Sequence, residues 1–286
     1  MTGARPILTA DDFALSEGVS AGIEALARAR RISAAGAMVT MPRWPEHAPR
    51  LAALRGDIAI GLHLNLTLGA PLGAMPSLAP DGRLPAIATL VSRALARRLD
   101  RAEIAAEIAR QLAQFAAATG YPPDFIDGHQ HVHALPMVRD ALIDALATGP
   151  AAVRPLVRNP ADTARRISSR GLYPAKSLML AGLARGFGRL LARHGWPTND
   201  SFSGVSAFER ASPYAAELTR ALRAPGRRHL VMCHPGIPDA ELAALDPVVE
   251  RRRDELDALS AFASLPDLIW HPARAPDGPL IDWGTP

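Results

Sequence analysis

FIDGHQHVH, the stretch Phe125–His133, places three histidines at a spacing of two behind a short apolar run. If this run is a strand, alternate side chains point to one face. That face would carry four polar residues, namely Asp127, His129, His131 and His133. Histidine is the commonest metal ligand and the usual acid or base near neutral pH. Since three of the nine histidines of the chain fall within five residues, the stretch predicts a functional site rather than a solvated strand end.

Composition describes an ordinary soluble protein. The chain has 286 residues, of which 48% are hydrophobic and 21% charged. This length and composition predict one domain over residues 1–286. A largely helical stretch around 161–195 is expected to be an insertion in that domain.

The basic residues are spread along the chain, which carries a net charge of +4. Three short arginine runs are interpreted as solvated helix faces: Arg165-Arg166, Arg227-Arg228 and Arg251-Arg252-Arg253. Aromatic residues make up 5% of the chain and are not interleaved with arginine. The sequence therefore gives no indication of a nucleic-acid partner.

Cysteine usage and hydropathy indicate a reducing compartment. A single cysteine, Cys233, excludes an intramolecular disulfide and a zinc site built from two or more cysteines. The apolar segment 178–191 is interrupted by Arg185 and Arg189 and is too short to span a bilayer. No targeting segment is visible, so a cytoplasmic location without a membrane span is expected.

Strand and helix signals alternate through the chain, which is typical of parallel strands joined by crossover helices. Strands are predicted at 6–10, 35–41, 57–63, 125–133, 153–157, 229–234 and 268–271. One helix is predicted to begin after Ser16, and another to end at Gly120. Further helices are predicted at 46–54, at 136–146, through much of 161–194, at 213–223 and at 247–262. About seven such units predict an α/β, (β/α) barrel-like fold.

Polar residues fall at the ends of several predicted strands: Asp11-Asp12, His63, His129, Arg154 and His234. In α/β folds, sites gather beyond the carboxyl ends of the strands. One carboxylate and two imidazoles suit a divalent ion with open positions. A second carboxylate could take a proton from a bound water, and Asp11 and Asp12 offer such a pair. The alternative for this pair is a turn and a helix N-terminus, where acidic residues are favoured.

Four sequence blocks resemble the signatures of the YdjC-like carbohydrate deacetylases, a family that includes chitooligosaccharide deacetylases and hopanoid-associated members. They are Thr9-Ala10-Asp11-Asp12-Phe13, Gly61-Leu62-His63, Asp127-Gly128-His129-Gln130-His131-Val132-His133 and Val231-Met232-Cys233-His234-Pro235. The resemblance implies a barrel-like fold and the metal-assisted removal of an N-acetyl group from an amino sugar or oligosaccharide, with release of acetate.

The same resemblance implies a role for each matching residue. Asp12, His63 and His129 would hold one divalent metal ion, Mg²⁺ or Zn²⁺. Asp11 would be the general base, and His234 would act near the leaving group. Three further residues, Arg154, His131 and His133, are expected to contact the substrate.

Two positions depart from the family pattern. Ala14 stands where the family usually has glycine, and Gln130 stands where it often has histidine. Neither residue is an expected ligand, so the departures bear on the choice of sugar more than on the chemistry.

Other readings stay open. Two histidines and a carboxylate also occur in non-haem Fe(II) oxygenases, although those proteins usually have antiparallel folds. A cysteine hydrolase using Cys233 and His234 is disfavoured, since neighbours on a strand face opposite ways. A hydrolase of another amide or ester and a non-catalytic sugar- or metal-binding protein are further alternatives. The protein could also form a homodimer.

Overall fold

The computed structural model describes residues 5–148, 154–272 and 281. Seven strands in that part of the chain form one sheet: β1 (Ile7–Phe13), β2 (Ala34–Ala37), β3 (Ala59–Leu64), β4 (Phe125–Gly128), β5 (Leu156–Val157), β6 (Ser201–Ser203) and β7 (His229–Cys233). The described helices are α1 (Glu17–Arg28), α2 (Trp44–Ala52), α3 (Ile87–Leu95), α4 (Arg101–Thr119), α5 (Val138–Ala147), α6 (Ala164–Arg170), α7 (Pro174–Leu183), α8 (Phe187–Arg193), α9 (Tyr214–Ala221), α10 (Ala240–Leu245), α11 (Glu250–Ala261) and α12 (Leu265–Leu268).

The sheet is parallel throughout, with strand order β5-β4-β3-β2-β1-β7-β6. It curls into a half-barrel, and one parallel bridge between Val157 and Thr198 links β5 to the segment that leads into β6. The amide of Val157 also donates to the carbonyl of Pro197. The barrel-like α/β fold expected from the alternating signals is therefore confirmed.

The inner face of the curled sheet is apolar at its base. One buried residue from each strand contributes to a single cluster: Ile7, Ala34, Ala59, Phe125, Leu156, Phe202 and Leu230. The outer face belongs to a second, larger core, in which Leu8, Ile60 and Val231 pack with the surrounding helices. Because both faces are covered, the strands are apolar without strict alternation, as parallel sheets require.

Helix ends follow their sequence signals. The hydroxyl of Ser16 accepts from the amide of Val19 and caps α1. Asp100 caps α4 in the same manner, and α4 ends at Gly120, whose φ of 79° is in the left-handed region that favours glycine. The Gly120 terminus was expected from the sequence, and it is confirmed.

The histidine stretch differs from the sequence prediction. The strand stops at Gly128, and residues His129–Ala134 form a 3₁₀ segment in which Gln130 and His131 have φ values of 53° and 60°. The expectation that alternate residues up to His133 line one strand face is therefore wrong. The chain leaves the sheet at Gly128, so side-chain direction beyond it is set by the turn.

Other predicted elements also need correction. The segment 268–271, predicted as a strand, contains the end of α12 and an irregular stretch instead. The segment 161–195 is helical as expected, and it contains α6, α7 and α8. β6 was not predicted, and Val153 of the predicted fifth strand lies outside the described residues. No helix in the described part of the chain is both long and apolar enough to cross a membrane.

Candidate metal centre and cleft

The inner face of the sheet becomes charged towards its carboxyl edge. Five polar residues follow the apolar residues at the base of these strands by two or four positions. They are Asp11, His63, Asp127, Arg158 and His234. A period of two keeps these side chains on the inner face. The strand-end rule therefore brings five polar groups of distant sequence position to one place.

Asp12 joins the cluster through an irregular turn. The register between β1 and β2 shifts between Ala10 and Phe13, and Asp12 and Ala14 have φ values of 72° and 73°. Such a bulge redirects a side chain. As a result, the neighbours Asp11 and Asp12 both contact the inner cluster, as the sequence reading required.

Asp12, His63 and His129 converge on one point. Oδ1 of Asp12 lies 2.9 Å from Nδ1 of His129 and 3.3 Å from Nε2 of His63. One potential ligand atom from each residue lies within 4.8 Å of the others, and all three residues are buried. The structure thus brings together the three residues expected to hold a metal ion.

The carboxylate of Asp127 orients the ring of His63. Its Nδ1 lies 2.6 Å from Oδ1 of Asp127, which leaves Nε2 towards Asp12. A carboxylate on the far nitrogen is the usual support of a metal-binding histidine. A side chain at Gly36 on β2 would stand 3.2 Å from Oδ1 of Asp127 and 3.3 Å from Cβ of His63, so glycine at this position leaves the pair undisturbed.

Arg158, which the sequence reading missed, anchors Asp11. Its Nη1 and Nη2 donate to the two carboxylate oxygens of Asp11 at 2.7 and 2.6 Å, and Nη2 also contacts Asp127. Arg158 follows β5 directly, so the strand-end rule could have found it. The sequence reading instead selected Arg154, four residues earlier.

The structure does not bring Arg154 to the cleft. Its guanidinium is exposed, donates to the carbonyls of His194 and Gly195, and lies 5.2 Å from the ring of Trp196. The strand β5 has only two residues and begins at Leu156. Arg154 therefore precedes the strand, at the amino end of the sheet, whereas the cluster lies at the carboxyl end.

A second arginine reaches the cluster from α11. Nη2 of Arg252 donates to Oδ2 of Asp12 and to Asp246, both at 2.7 Å. Its neighbour Arg251 is also buried and pairs with Glu217 at 2.8 Å. The interpretation of residues 251–253 as a solvated face is therefore wrong for two of the three arginines, and only Arg253 is exposed.

The remaining histidines occupy different positions. His131 lines the cleft, and its Nδ1 has no hydrogen-bond partner among the described residues. Nε2 of His133 lies 2.8 Å from the carbonyl of Arg158, and His133 is not among the described residues that line the cleft. Nε2 of His234 lies 3.9 Å from Oδ2 of Asp11, which places His234 beside the proposed base.

Burial and charge set the protonation states of the site. Burial disfavours the charged form of Asp11, but the guanidinium of Arg158 outweighs it and holds the pKa of this carboxyl at about 2. Burial lowers the pKa of His234 to about 4 against the opposing effect of Asp11. At neutral pH the cluster therefore has an ionised Asp11 beside an uncharged His234.

His63 shows that this place attracts positive charge. Burial alone would lower its pKa, but the carboxylates of Asp127 and Asp11 and the hydrogen bond to Asp12 raise it to about 10. The position between Nε2 of His63 and Oδ1 of Asp12 thus retains a proton well above neutral pH. A cation that replaces the proton would meet the same stabilising field.

Charge counting supports a divalent ion. The cluster and its direct partners contain four carboxylates, from Asp11, Asp12, Asp127 and Asp246, and two guanidinium groups, from Arg158 and Arg252. Once an ion has replaced the proton of His63 and the imidazoles are uncharged, two negative charges remain. Two nitrogen ligands, one oxygen ligand and a net charge of −2 suit a divalent cation.

A cleft of about 710 Å³ opens over the cluster. Its floor contains Asp11, Asp12, His63, His129, His131 and His234. Apolar side chains dominate the walls: Leu68, Ile87, Val91, Leu135, Met179, Leu180, Leu183, Val205, Phe208, Met232, Leu245 and Val248. The cluster is therefore accessible to a small molecule from one side.

A half-barrel with a carboxylate and imidazole centre at its carboxyl edge defines an α/β protein with a candidate metal site. The model of the family described as YdjC-like protein matches residues 5–263, and the chain belongs to this family. That finding confirms the resemblance seen in the four sequence blocks.

Similar proteins carry deacetylase names. The chain is 40% identical over 142 residues to a chitooligosaccharide deacetylase of Serratia marcescens, a match that covers 49% of this chain and 54% of the relative. It is 41% identical over 133 residues to a chitooligosaccharide deacetylase of Yersinia pestis, covering 46% of this chain and 51% of the relative. The chain thus spans about half the length of the curated relatives it matches.

A solved structure supports the fold. A protein of Enterococcus faecalis V583, provisionally named a cellobiose-phosphate cleavage protein, superposes with a TM-score of 0.68 at 20% identity. The match covers 94% of this chain and 98% of that protein. At this identity the likeness concerns the fold alone.

Proposed function

We propose that this protein is a metal-dependent carbohydrate N-deacetylase, which hydrolyses the acetamide of an N-acetylated amino sugar to a free amine and acetate. One observation carries the proposal: Asp11, anchored by Arg158, lies next to the convergent group Asp12, His63 and His129 on the floor of an open cleft. Family membership and the names of the relatives point to the same chemistry.

Asp12, His63 and His129 would hold one divalent ion. Two imidazoles favour Zn²⁺, and Mg²⁺ is the alternative. When bound there, the ion would polarise the acetamide carbonyl and lower the pKa of a coordinated water.

Asp11 would receive the proton of the attacking water. With a pKa of about 2, Asp11 is ionised at every working pH but is a weak base. It can take a proton only from a water that is far more acidic than bulk water. The two hydrogen bonds from Arg158 fix the direction of both Asp11 oxygens.

The departing amine needs a proton. His234 is uncharged at neutral pH, and its Nε2 lies 3.9 Å from Oδ2 of Asp11. His234 would pass the proton from Asp11 to the amine, and His131 is the second candidate because it lines the same cleft. Water thus adds its oxygen to the acetyl carbon, the C–N bond breaks, and both products leave through the cleft.

The test is acetate release. Metal-stripped protein is incubated with a panel of N-acetylated monosaccharides and chitooligosaccharides, with and without Zn²⁺ or Mg²⁺, and acetate is measured with a coupled assay. An ester substrate of the same acyl group is run in parallel. The proposal predicts metal-dependent acetate release from at least one amino sugar. Release from the ester alone would favour an esterase.

Compartment and assembly stay predictions. The proposed cytoplasmic location rests on the single, buried Cys233. A homodimer is tested by light scattering on the purified protein. A nucleic-acid partner is not expected, since Arg158, Arg170 and Arg251 are buried and engaged within the chain.

A further inference from the structure

A serine, a histidine and a glutamate form a connected set next to β1, in which Ser20 and His47 are buried and the side chain of Glu17 is 47% exposed. The hydroxyl of Ser20 lies 2.9 Å from Nδ1 of His47, and Nε2 of His47 lies 2.9 Å from Oε2 of Glu17. Arg50 holds both oxygens of Glu17 at 2.8 and 3.0 Å. The order of groups is that of a nucleophile with its base and orienting acid.

This set does not have access to substrate. Ser20 and His47 are fully buried on α1 and α2, and neither they nor Glu17 is among the described residues that line the cleft. A nucleophile without a path to its substrate cannot react. The set therefore needs another explanation.

A hydrogen bond to the backbone of Ala14 explains the set. The amide of Ala14 donates to the hydroxyl oxygen of Ser20 at 2.9 Å. The carboxylate of Glu17 can only accept, so the hydrogen of a singly protonated His47 ring lies on Nε2 towards Glu17, and Nδ1 accepts from the hydroxyl of Ser20. Ser20 then donates to His47 while its oxygen accepts from the amide of Ala14, which gives the hydroxyl one orientation.

Ala14 is the position that needs such support. Its φ of 73° lies in the left-handed region, which a residue with a Cβ rarely adopts. Asp12, two residues earlier, has a φ of 72°, and its carbonyl accepts from the amide of Leu15. The turn Asp12–Leu15 therefore contains two strained residues, and it carries one of the candidate metal ligands.

We propose that Ser20, oriented by His47 and Glu17, is a positioning residue that holds the left-handed turn at Ala14 and thereby directs the carboxylate of Asp12 towards His63 and His129. The inference rests on the proposed metal site. Ser20 touches neither substrate nor ion, and it acts through the backbone of Ala14.

The test is a double-mutant cycle between Ser20→Ala and Ala14→Gly. Glycine adopts a positive φ without strain, so a chain with Gly at 14 depends less on the hydroxyl of Ser20. Zn²⁺ affinity of the stripped protein is measured by competition with a chromogenic chelator, and unfolding in urea is measured on the same four proteins. Ser20→Ala should weaken Zn²⁺ binding by about 10-fold or more, and adding Ala14→Gly should restore most of it.

Ser33→Ala is the matched control. Ser33 is equally buried, and its hydroxyl accepts from the amide of Leu8 at 3.0 Å, near the other end of β1. Its loss should reduce stability without changing Zn²⁺ affinity. Equal Zn²⁺ affinity of Ser20→Ala and wild type, an equal loss in Ser33→Ala, or no rescue by glycine overturns the inference.

The outcomes separate this inference from the proposed function. If the wild-type chain binds no divalent ion, the proposed function fails, and the link between Ser20 and ion binding fails with it. If wild type binds Zn²⁺ and positions 14 and 20 show no coupling in affinity, only the present inference fails.

Discussion

Arg252 and Asp12 are 240 positions apart in the chain, yet Nη2 of Arg252 donates to Oδ2 of Asp12 at 2.7 Å. The other oxygen of Asp12 faces His129 at 2.9 Å. Arg252 therefore occupies one oxygen and leaves the second for the candidate metal site. Asp246 holds the same Nη2 at 2.7 Å, which keeps the guanidinium in place.

We predict that Arg252→Met lowers turnover of the folded protein by about 10- to 100-fold, because Oδ2 of Asp12 loses the hydrogen bond from the guanidinium that orients this carboxylate. The free energy of unfolding should fall by about 3–5 kcal/mol, since a buried carboxylate loses its partner. Both are measured beside Arg253→Met, whose arginine is exposed and pairs with Asp257. Similar behaviour of the two variants would contradict a role for Arg252 at Asp12.

Two arginines four residues apart allow a second comparison. Arg158→Lys should reduce turnover by roughly 10²-fold, because lysine cannot reproduce the two parallel hydrogen bonds to Asp11. Arg154→Ala should leave turnover within about twofold of wild type, since its exposed guanidinium bonds only to carbonyls in the described residues. The rate constants for acetate release decide the matter, and greater damage from Arg154→Ala would reverse the assignment.

Cys233 and His234 are neighbours with different expected roles. Burial raises the pKa of the Cys233 thiol well above its usual value, and its Sγ lies 3.4 Å from the carbonyl of Thr9. Cys233→Ser should keep a substantial part of the activity, although an unmatched hydroxyl costs about 1–3 kcal/mol of stability. His234→Ala should remove most of the activity. A folded but inactive Cys233→Ser protein, protected by substrate from alkylation, would instead indicate a cysteine hydrolase.

Stability should fall in mild acid because of a buried histidine far from the site. Burial lowers the pKa of His229 from 6.5 to about 4, although its hydrogen bond to Ala221 opposes the shift. Between pH 6.5 and about 4, His229 binds a proton in the unfolded chain but not in the folded protein. The free energy of unfolding is therefore highest above pH 6.5 and decreases as the pH falls towards 4. The loss is about 3 kcal/mol. The free energy of unfolding in urea is measured at pH 7, 6, 5 and 4 for the wild type and for His229→Gln. A wild-type value that does not change with pH, or an equally steep decrease in His229→Gln, would contradict the prediction.

Several features were predictable because they depend on strand direction alone. Parallel strands share one carboxyl edge, so polar residues at strand ends were expected to meet, and Asp12, His63 and His129 do so. His131 and His133 were placed wrongly as strand residues, because their direction depends on the turn after Gly128. Gly128 allows the backbone to bend at that point, but the sequence does not give the direction of the histidines after it.

The two arginines were missed for different reasons. Arg158 follows a strand of only two residues. The predicted strand 153–157 began too early, so Arg154 was counted within it and selected. Arg252 belongs to a charged helix in which two adjacent arginines are buried. Helical periodicity cannot identify such a pair, since their partners Asp12 and Glu217 lie far away in the chain.

The most direct test of the central claim is a titration of metal-stripped protein with Zn²⁺, in which bound ion and acetate release are followed together. We expect activity to appear as one equivalent of Zn²⁺ binds, and Asp12→Asn to weaken ion binding. Asp11→Asn should retain the ion but lose turnover by roughly 10²-fold, as expected for a general base. Acetate release at full rate without any ion, or an exchange of behaviour between the two variants, would contradict the assignment of Asp12 as ligand and Asp11 as base.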